Sequence, residues 1–273
     1  MSPTEMSPDD LLALYNRAVP ALYRVTEEAF DGLTDGAHLI PHFTQGCLTG
    51  YALLRGTSLT LLVADPAHQR QGIGTSLLKQ AQAWVKSRGK RRLVLGVGSD
   101  YVIQGVPTEE NAHLFFEKRG FTCTGFTYDM TLCLTGFDRT PPCPEEIAFR
   151  TMPVNDAVLD AVAMVDGTWR KTYESTDEDV LCVMHGEKIA GFCIPSAFRR
   201  FCNDRETGSV SCIGVLPAYR RRGIGLAMTA HAAKLLRDDG CTRAELLYTA
   251  IPQWYEKLGF AVMHRLWMGE CGM

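Results

Sequence analysis

Two stretches of this chain have residue types that suit an anion cradle. One is Ala64-Asp65-Pro66-Ala67-His68-Gln69-Arg70-Gln71-Gly72-Ile73-Gly74-Thr75, and the other is Gly214-Val215-Leu216-Pro217-Ala218-Tyr219-Arg220-Arg221-Arg222-Gly223-Ile224-Gly225-Leu226. Each reads as a strand stopped by a proline, a turn rich in arginine and glycine, and the start of a helix. A helix start presents backbone N–H groups with no partner inside the helix, and the helix dipole adds partial positive charge there. Glycine lets a ligand approach the backbone closely, so the combination suits a phosphate or pyrophosphate. Three arginines at a helix start oppose the dipole, which favours an anionic partner for Arg220, Arg221 and Arg222 over a merely solvated face. The plain alternative for each stretch is a glycine-rich turn that only joins a strand to a helix. Two familiar phosphate loops fit poorly: no Gly-x-x-x-x-Gly-Lys-Ser/Thr occurs, and Leu77 and Met228 stand where the dinucleotide fingerprint has its third glycine.

The two stretches are copies. Pro66 and Pro217, Arg70 and Arg221, Gly72 and Gly223, and Gly74 and Gly225 are each 151 positions apart, so the chain is one unit written twice. Downstream, Phe116-Glu117-Lys118-Arg119-Gly120-Phe121 repeats as Tyr255-Glu256-Lys257-Leu258-Gly259-Phe260 at an offset of 139, which leaves 12 extra residues in the first copy.

Gln69-x-x-Gly72-x-Gly74 and Arg220-x-x-Gly223-x-Gly225, each followed by a late segment ending in Gly-Phe, resemble the acyl-CoA signature of the GNAT superfamily of N-acetyltransferases. The resemblance implies an α/β (α+β) fold with two GNAT-like domains, each a mixed, mostly antiparallel sheet with flanking helices and a splayed central strand pair. It implies acetyl-CoA as cofactor, with CoA as product. Backbone groups near Ile213 and Val215, with Leu62 and Ala64 as first-copy equivalents, would grip the pantetheine and polarise the carbonyl. The loop Arg220–Leu226, with Arg70, Gln71, Gly72, Gly74 and Thr75 in the first copy, would hold the pyrophosphate. In many such enzymes a late-helix tyrosine protonates the leaving thiolate. Tyr255 matches that position and Phe116 does not, and a phenol of pKa about 10 can donate a proton where a phenyl ring cannot. The second half is therefore the expected catalyst, and the first is non-catalytic or relies on water or another residue. The alternative for Tyr255 is a core aromatic beside Trp254.

Glu245 is the expected general base, on a strand where Glu245, Leu247 and Thr249 alternate onto one face; the alternative is a solvated charge at a strand start. Asp204 and Glu206 are rivals. Asp129 is an acid on an apolar strand, read otherwise as an edge charge that blocks aggregation. Tyr101-Val102-Ile103-Gln104-Gly105-Val106-Pro107 resembles a loop of GNAT proteins thought to act on amino sugars, with Gln104 in place of its first proline.

With 273 residues, 46% apolar and 22% charged, the chain suits two ordinary domains. A net charge of −3 does not favour nucleic acid as a bulk partner. The 10 cysteines include no Cys-x-x-Cys and no His/Cys cluster at ligand spacing, so reduced, mostly buried thiols and no metal are expected. No signal-like or membrane-spanning run occurs, and a cytoplasmic monomer or homodimer without membrane association is expected. Domains are expected at 9–137 and 146–273, joined by a proline-rich linker at 138–145.

In chain order, Leu11 to Tyr23 has helical spacing broken by Pro20. Strands are expected at 49–55 and 58–63, a helix at 72–87, and a terminal hairpin at 121–126 and 128–134. The second copy repeats the plan with strands at 147–151, 180–184, 189–194, 208–215, 244–248 and 260–268. The first copy shows no room for an opening strand and the second no closing one, which a sheet edge shared by the two halves would answer. The expected activity is acetyl transfer to the primary amine of a small molecule, with an amino sugar or aminoglycoside-like amine as the leading acceptor. A peptide or protein amine, and a non-catalytic acyl-CoA-binding sensor or scaffold, are the alternatives.

Overall fold

A computed structural model describes residues 7–96, 103–109, 111–196 and 206–273. The chain forms two compact units. The first holds the described residues up to Thr127 together with His264–Met273, and the second holds those from Tyr128 to Met263.

In the first unit, helix α1 (Pro8–Ala18) starts at a capping box in which Ser7 and Asp10 exchange hydrogen bonds, with Ser7 as N-cap two residues before Asp9. Pro20 separates it from α2 (Glu27–Thr34), with a 3-10 turn at Ala21–Tyr23 between. The sheet begins with β1 (His38–Thr44), β2 (Cys47–Arg55) and β3 (Ser58–Ala64). Strand β1 escapes the sequence pattern because Pro41 lies within it, and an edge strand, where this one sits, is where a proline is tolerated. Helix α3 (Ile73–Ser87) buries Ile73, Leu77, Leu78, Ala81 and Val85 against this sheet. Strand β4 (Arg92–Leu95), the short β5 (Val106–Pro107), the one-turn helix α4 (His113–Glu117) and the first half of β6 (Thr122–Cys133) follow. The expected hairpin at 121–134 is instead this single strand.

The second unit begins with the later residues of β6. It continues through β7 (Ile147–Met152), α5 (Asp156–Asp166, capped by Asn155), α6 (Arg170–Glu174), β8 (Val180–His185), β9 (Lys188–Ser196) and β10 (Thr207–Val215). Helix α7 (Ile224–Asp238), β11 (Arg243–Thr249), α8 (Pro252–Glu256) and the start of β12 (Ala261–Gly272) complete it. Its sheet order is β6-β11-β10-β9-β8-β7. Residues 135–146 carry neither helix nor strand.

Each unit takes a strand beside its last central strand from the other half of the sequence. This supplies the closing strand the second copy lacks, whereas among the described residues no strand fills the opening position of the first unit, whose edge is β1. Residues 269–272 of β12 pair antiparallel with β4, and Leu266 and Trp267 pair with β5. Residues 128–133 of β6 pair antiparallel with β11. Each sheet is mostly antiparallel, and its parallel contact is short: Ser58 against Val94 in β3–β4, and Thr207–Ser209 against Arg243–Glu245 in β10–β11. Beyond these rungs the strands splay. Cys182, Cys193, Cys241 and Cys271 are buried, but Cys47, Cys123 and Cys133 are exposed, the last two near the ends of β6. No helix among the described residues is long and apolar enough to cross a membrane.

Trp267 lies in the same buried cluster as Leu77, Leu93 and Phe116 and is 1% exposed. Burying an indole of this size is worth on the order of 4–6 kcal/mol of transfer free energy. Trp267→Ala is therefore expected to destabilise the first unit by about 3–5 kcal/mol in denaturant titration. Limited proteolysis of this variant should open sites within residues 38–127; cleavage confined to 146–260 would contradict the strand assignment.

Candidate functional site

The two loops have the same backbone. Each has a 3-10 turn (Pro66–His68 or Pro217–Tyr219), then an extended residue (Gln69 or Arg220), then a left-handed arginine, Arg70 at φ 63° or Arg221 at φ 62°. Gly72 (φ 86°) and Gly223 (φ 83°) follow as left-handed N-caps of α3 and α7, each 15 residues long. A left-handed conformation costs a non-glycine residue roughly 1–2 kcal/mol, and holding it at the same place twice points to use. Neither cap residue supplies a side-chain hydrogen bond to its helix, so the first amides have no side-chain cap. Successive N–H groups in a left-handed turn of this kind can form a concavity that suits an anion.

The surroundings of the loops differ. A Cβ on Gly72 would meet nothing within 4 Å, whereas on Gly223 it would lie 2.6 Å from the Pro142 carbonyl oxygen. The second glycine of each loop serves packing more than ligand approach. A Cβ on Gly74 would sit 3.3 Å from the Phe115 ring, and on Gly225 3.1 Å from the Trp254 ring. The arginine triplet also divides. Arg220 Nε donates to the Val215 carbonyl at 2.9 Å, and Arg222 pairs with Glu146. Arg221 is exposed, with no ion-pair partner among the described residues. In the first loop Arg70 and Gln71 are exposed, and Thr75 Oγ1 accepts from Arg119 at 2.7 Å. The Arg119 guanidinium also covers the Phe115 ring at 3.8 Å and leaves a buried Nε unpaired. It is a cation beside the start of α3 that sequence spacing did not reveal, because the second copy has Leu258 there.

In the first unit the splay holds a cavity of about 360 Å³. Leu59–Val63 of β3 line it, with Leu95 and Gly96 at the end of β4, Val106, Phe116 and His264. Leu62 is thus on its wall, and Ala64 is half-buried further along the strand. In the second unit β10 bulges between Ser211 and Gly214, with Cys212 at φ 49°. The Tyr173 hydroxyl donates to the Cys212 carbonyl at 3.0 Å, and Ile213 and Val215 are half-buried beyond it.

Late aromatic residues repeat as faithfully as the loops. Phe115, Phe116 and Phe121 meet edge to face at 5.0 and 5.4 Å, as Trp254, Tyr255 and Phe260 do at 4.7 and 6.0 Å. Tyr255 is buried in the core cluster of the second unit, and burial pushes its phenol well above the ordinary value. Such a phenol stays protonated, as a donor to a thiolate must.

Glu245 is half-buried on the last parallel rung, opposite Ser209. The alternation expected to carry Glu245, Leu247 and Thr249 on one face breaks at an irregularity between Leu246 and Thr249, with Tyr248 at φ 64°. Ala244, Leu246 and Thr249 share the buried side instead. Asp129 is 2% exposed and accepts from the Tyr248 N–H at 3.1 Å. Its strand segment pairs with β11, so it anchors that irregularity and is not an edge charge against aggregation. Glu206 is exposed, and its carbonyl accepts from the Thr242 N–H. Asp204 and the Tyr101-Val102 part of the glycine-rich loop lie outside the described residues.

The description Acetyltransferase (GNAT) domain matches residues 35–123 and again 176–262. A mycothiol acetyltransferase of Salinispora tropica is 28% identical over 261 residues, covering 82% of this chain and 78% of that protein. One from Beutenbergia cavernae is 27% identical, covering 77% and 73%. Among solved structures, a GCN5-related glucosamine N-acetyltransferase region of a fungal multi-domain GH3 β-N-acetylglucosaminidase superposes with a TM-score of 0.79 at 18% identity, covering 96% of this chain and 36% of that one. A tandem GNAT protein from the clavulanic acid biosynthesis pathway superposes with a TM-score of 0.74 at 14% identity, covering 100% and 97%.

Gly225→Ala is expected to destabilise the second unit by about 1–3 kcal/mol through overpacking, and adding Trp254→Leu should recover part of that loss in a double-mutant cycle. Additive effects would mean the ring does not constrain Gly225.

Proposed function

The chain belongs to the acetyltransferase (GNAT) domain family, and on that premise we propose that it transfers the acetyl group of acetyl-CoA to the primary amine of a small molecule. The observation that carries this reading is the repeated left-handed arginine–glycine loop, which caps a helix beside a splayed strand pair. An amino sugar is the acceptor class we favour, because one structural neighbour is described as a glucosamine N-acetyltransferase region; the similarity to mycothiol acetyltransferases supports a small-molecule acceptor. When bound, acetyl-CoA supplies an activated acyl thioester.

The residues then divide the work. Arg221 and the amides from Gly223 to Leu226 hold the diphosphate in the second unit, as Arg70, Gln71, Gly72, Gly74 and Thr75 do in the first. Backbone groups at Ile213 and Val215, and at Leu62 and Ala64, line the path of the pantetheine arm, and an N–H there can polarise the thioester carbonyl. Tyr255 protonates the departing sulfur. Glu245, at the root of the second splay, receives the proton of the amine.

Calorimetric titration with acetyl-CoA is expected to give two sites per chain, one lost in Arg70→Glu and the other in Arg221→Glu. Absence of binding in the parent protein would sink the reading. Tyr255→Phe is expected to lower kcat for amino-sugar acetylation about 100-fold with little change in KM. Unchanged turnover would remove Tyr255 from the mechanism, and tight binding without turnover of any amine would favour a sensor.

A further inference from the structure

Phe116 leaves the first unit without a phenol where the second has Tyr255. Besides the phenols of Tyr15 and Tyr23, the cavity of that unit holds a histidine and a carboxylate able to move a proton. His264, on β12, lines it together with Glu109, Phe116 and Leu59–Val63. Both ring nitrogens of His264 are shielded from solvent and make no hydrogen bond. Its Nδ1 lies 3.7 Å from Glu109 Oε1, an ion-pair distance too long for a hydrogen bond. Buried polar atoms without partners are rare enough to need a reason.

The pair is held in place. Glu109 Oε1 accepts from the Arg265 N–H at 3.0 Å, and both the N–H and the hydroxyl of Thr108 donate to the Arg265 carbonyl at 3.0 Å. The Tyr23 ring packs against the imidazole with centroids 4.8 Å apart, and Tyr15 lines the same cavity. The Arg265 guanidinium lies over the Phe126 ring at 3.7 Å. Glu109 is therefore the carboxylate that bears on His264. Burial depresses the imidazole pKa and Glu109 partly opposes this, so the ring is neutral near pH 7 and able to accept a proton.

We propose that this cavity is a second acyl-transfer centre, in which His264 is the proton carrier and Glu109 its positioning residue. The proposal rests on the acetyltransferase reading above but assigns chemistry to the half that reading leaves without an acid. A neutral amine forms the C–N bond to the acyl carbon as the C–S bond breaks. One N–H proton passes to the His264 imidazole and from there to the departing sulfur. The products are an amide and a free thiol, and the imidazole ends neutral as it began. Glu109 keeps its charge throughout and stabilises the transient imidazolium.

The test uses the full chain carrying Arg221→Glu and Tyr255→Phe, with glucosamine as probe amine and thiol release from acetyl-CoA as signal. Residual turnover is expected, and adding His264→Gln should lower it at least about 100-fold with the acetyl-CoA Kd within about twofold. Glu109→Gln should move the acid limb of kcat/KM to lower pH, because it removes the charge that raises the imidazole pKa. In the parent protein, the His264 ring resonance, assigned by its loss in His264→Gln, should shift on adding acetyl-CoA but not in Arg70→Glu. Parent turnover that vanishes in the Arg221→Glu, Tyr255→Phe chain overturns the second centre and leaves the acetyltransferase reading standing. Residual turnover indifferent to His264→Gln does the same. Failure of the parent to acetylate any amine, with a His264 resonance blind to acetyl-CoA, overturns both.

Discussion

Each unit depends on a parallel strand contact that stops almost as soon as it starts. Ser58 meets Val94 and Thr207–Ser209 meet Arg243–Glu245, and beyond these rungs the strands part. Backbone N–H and C=O groups on a parted strand lose their ladder partners and must find others or cost stability. Several in the second unit have done so: the Cys212 carbonyl takes the Tyr173 hydroxyl, the Val215 carbonyl takes Arg220 Nε, and the Tyr248 N–H takes the Asp129 carboxylate. The first unit instead keeps a cavity along the same stretch.

The repeats share a frame and differ in what is attached to it. Identical left-handed positions, equal helices and matching aromatic triads fix the frame. The attachments are single side chains: Arg119 where the second copy has Leu258, Tyr255 where the first has Phe116, and Pro142 beside Gly223 where Gly72 is open. A duplicated fold can change chemistry this way, because the backbone of the loop is the same whichever side chain lies beyond it.

The sequence displayed the local features well. The two loops, the helices behind them and most strands were legible because their signals lie within a dozen residues. Pro41 hid β1, since a proline argues against a strand until its edge position is known. The packing role of Gly225 was hidden because Trp254 is far along the chain, and the burial of Asp129 because its partner Tyr248 is farther still. His264 was the least legible. It reads as part of the second copy, yet its partner Glu109 belongs to the first, and no spacing rule joins positions that far apart.

The return of β12 to the first unit also sets the order in which this protein can be made. A domain whose residues are contiguous can fold while later ones are still on the ribosome. Here the cluster around Leu77 and Leu93 lacks Trp267 and Cys271 until β12, far later in the sequence, has been translated. The first unit thus starts to emerge early but closes late, with its apolar sheet waiting on a strand from the second half of the sequence. Such long-range closure slows folding. It also means that an incompletely synthesised chain does not present a finished first loop beside a finished core.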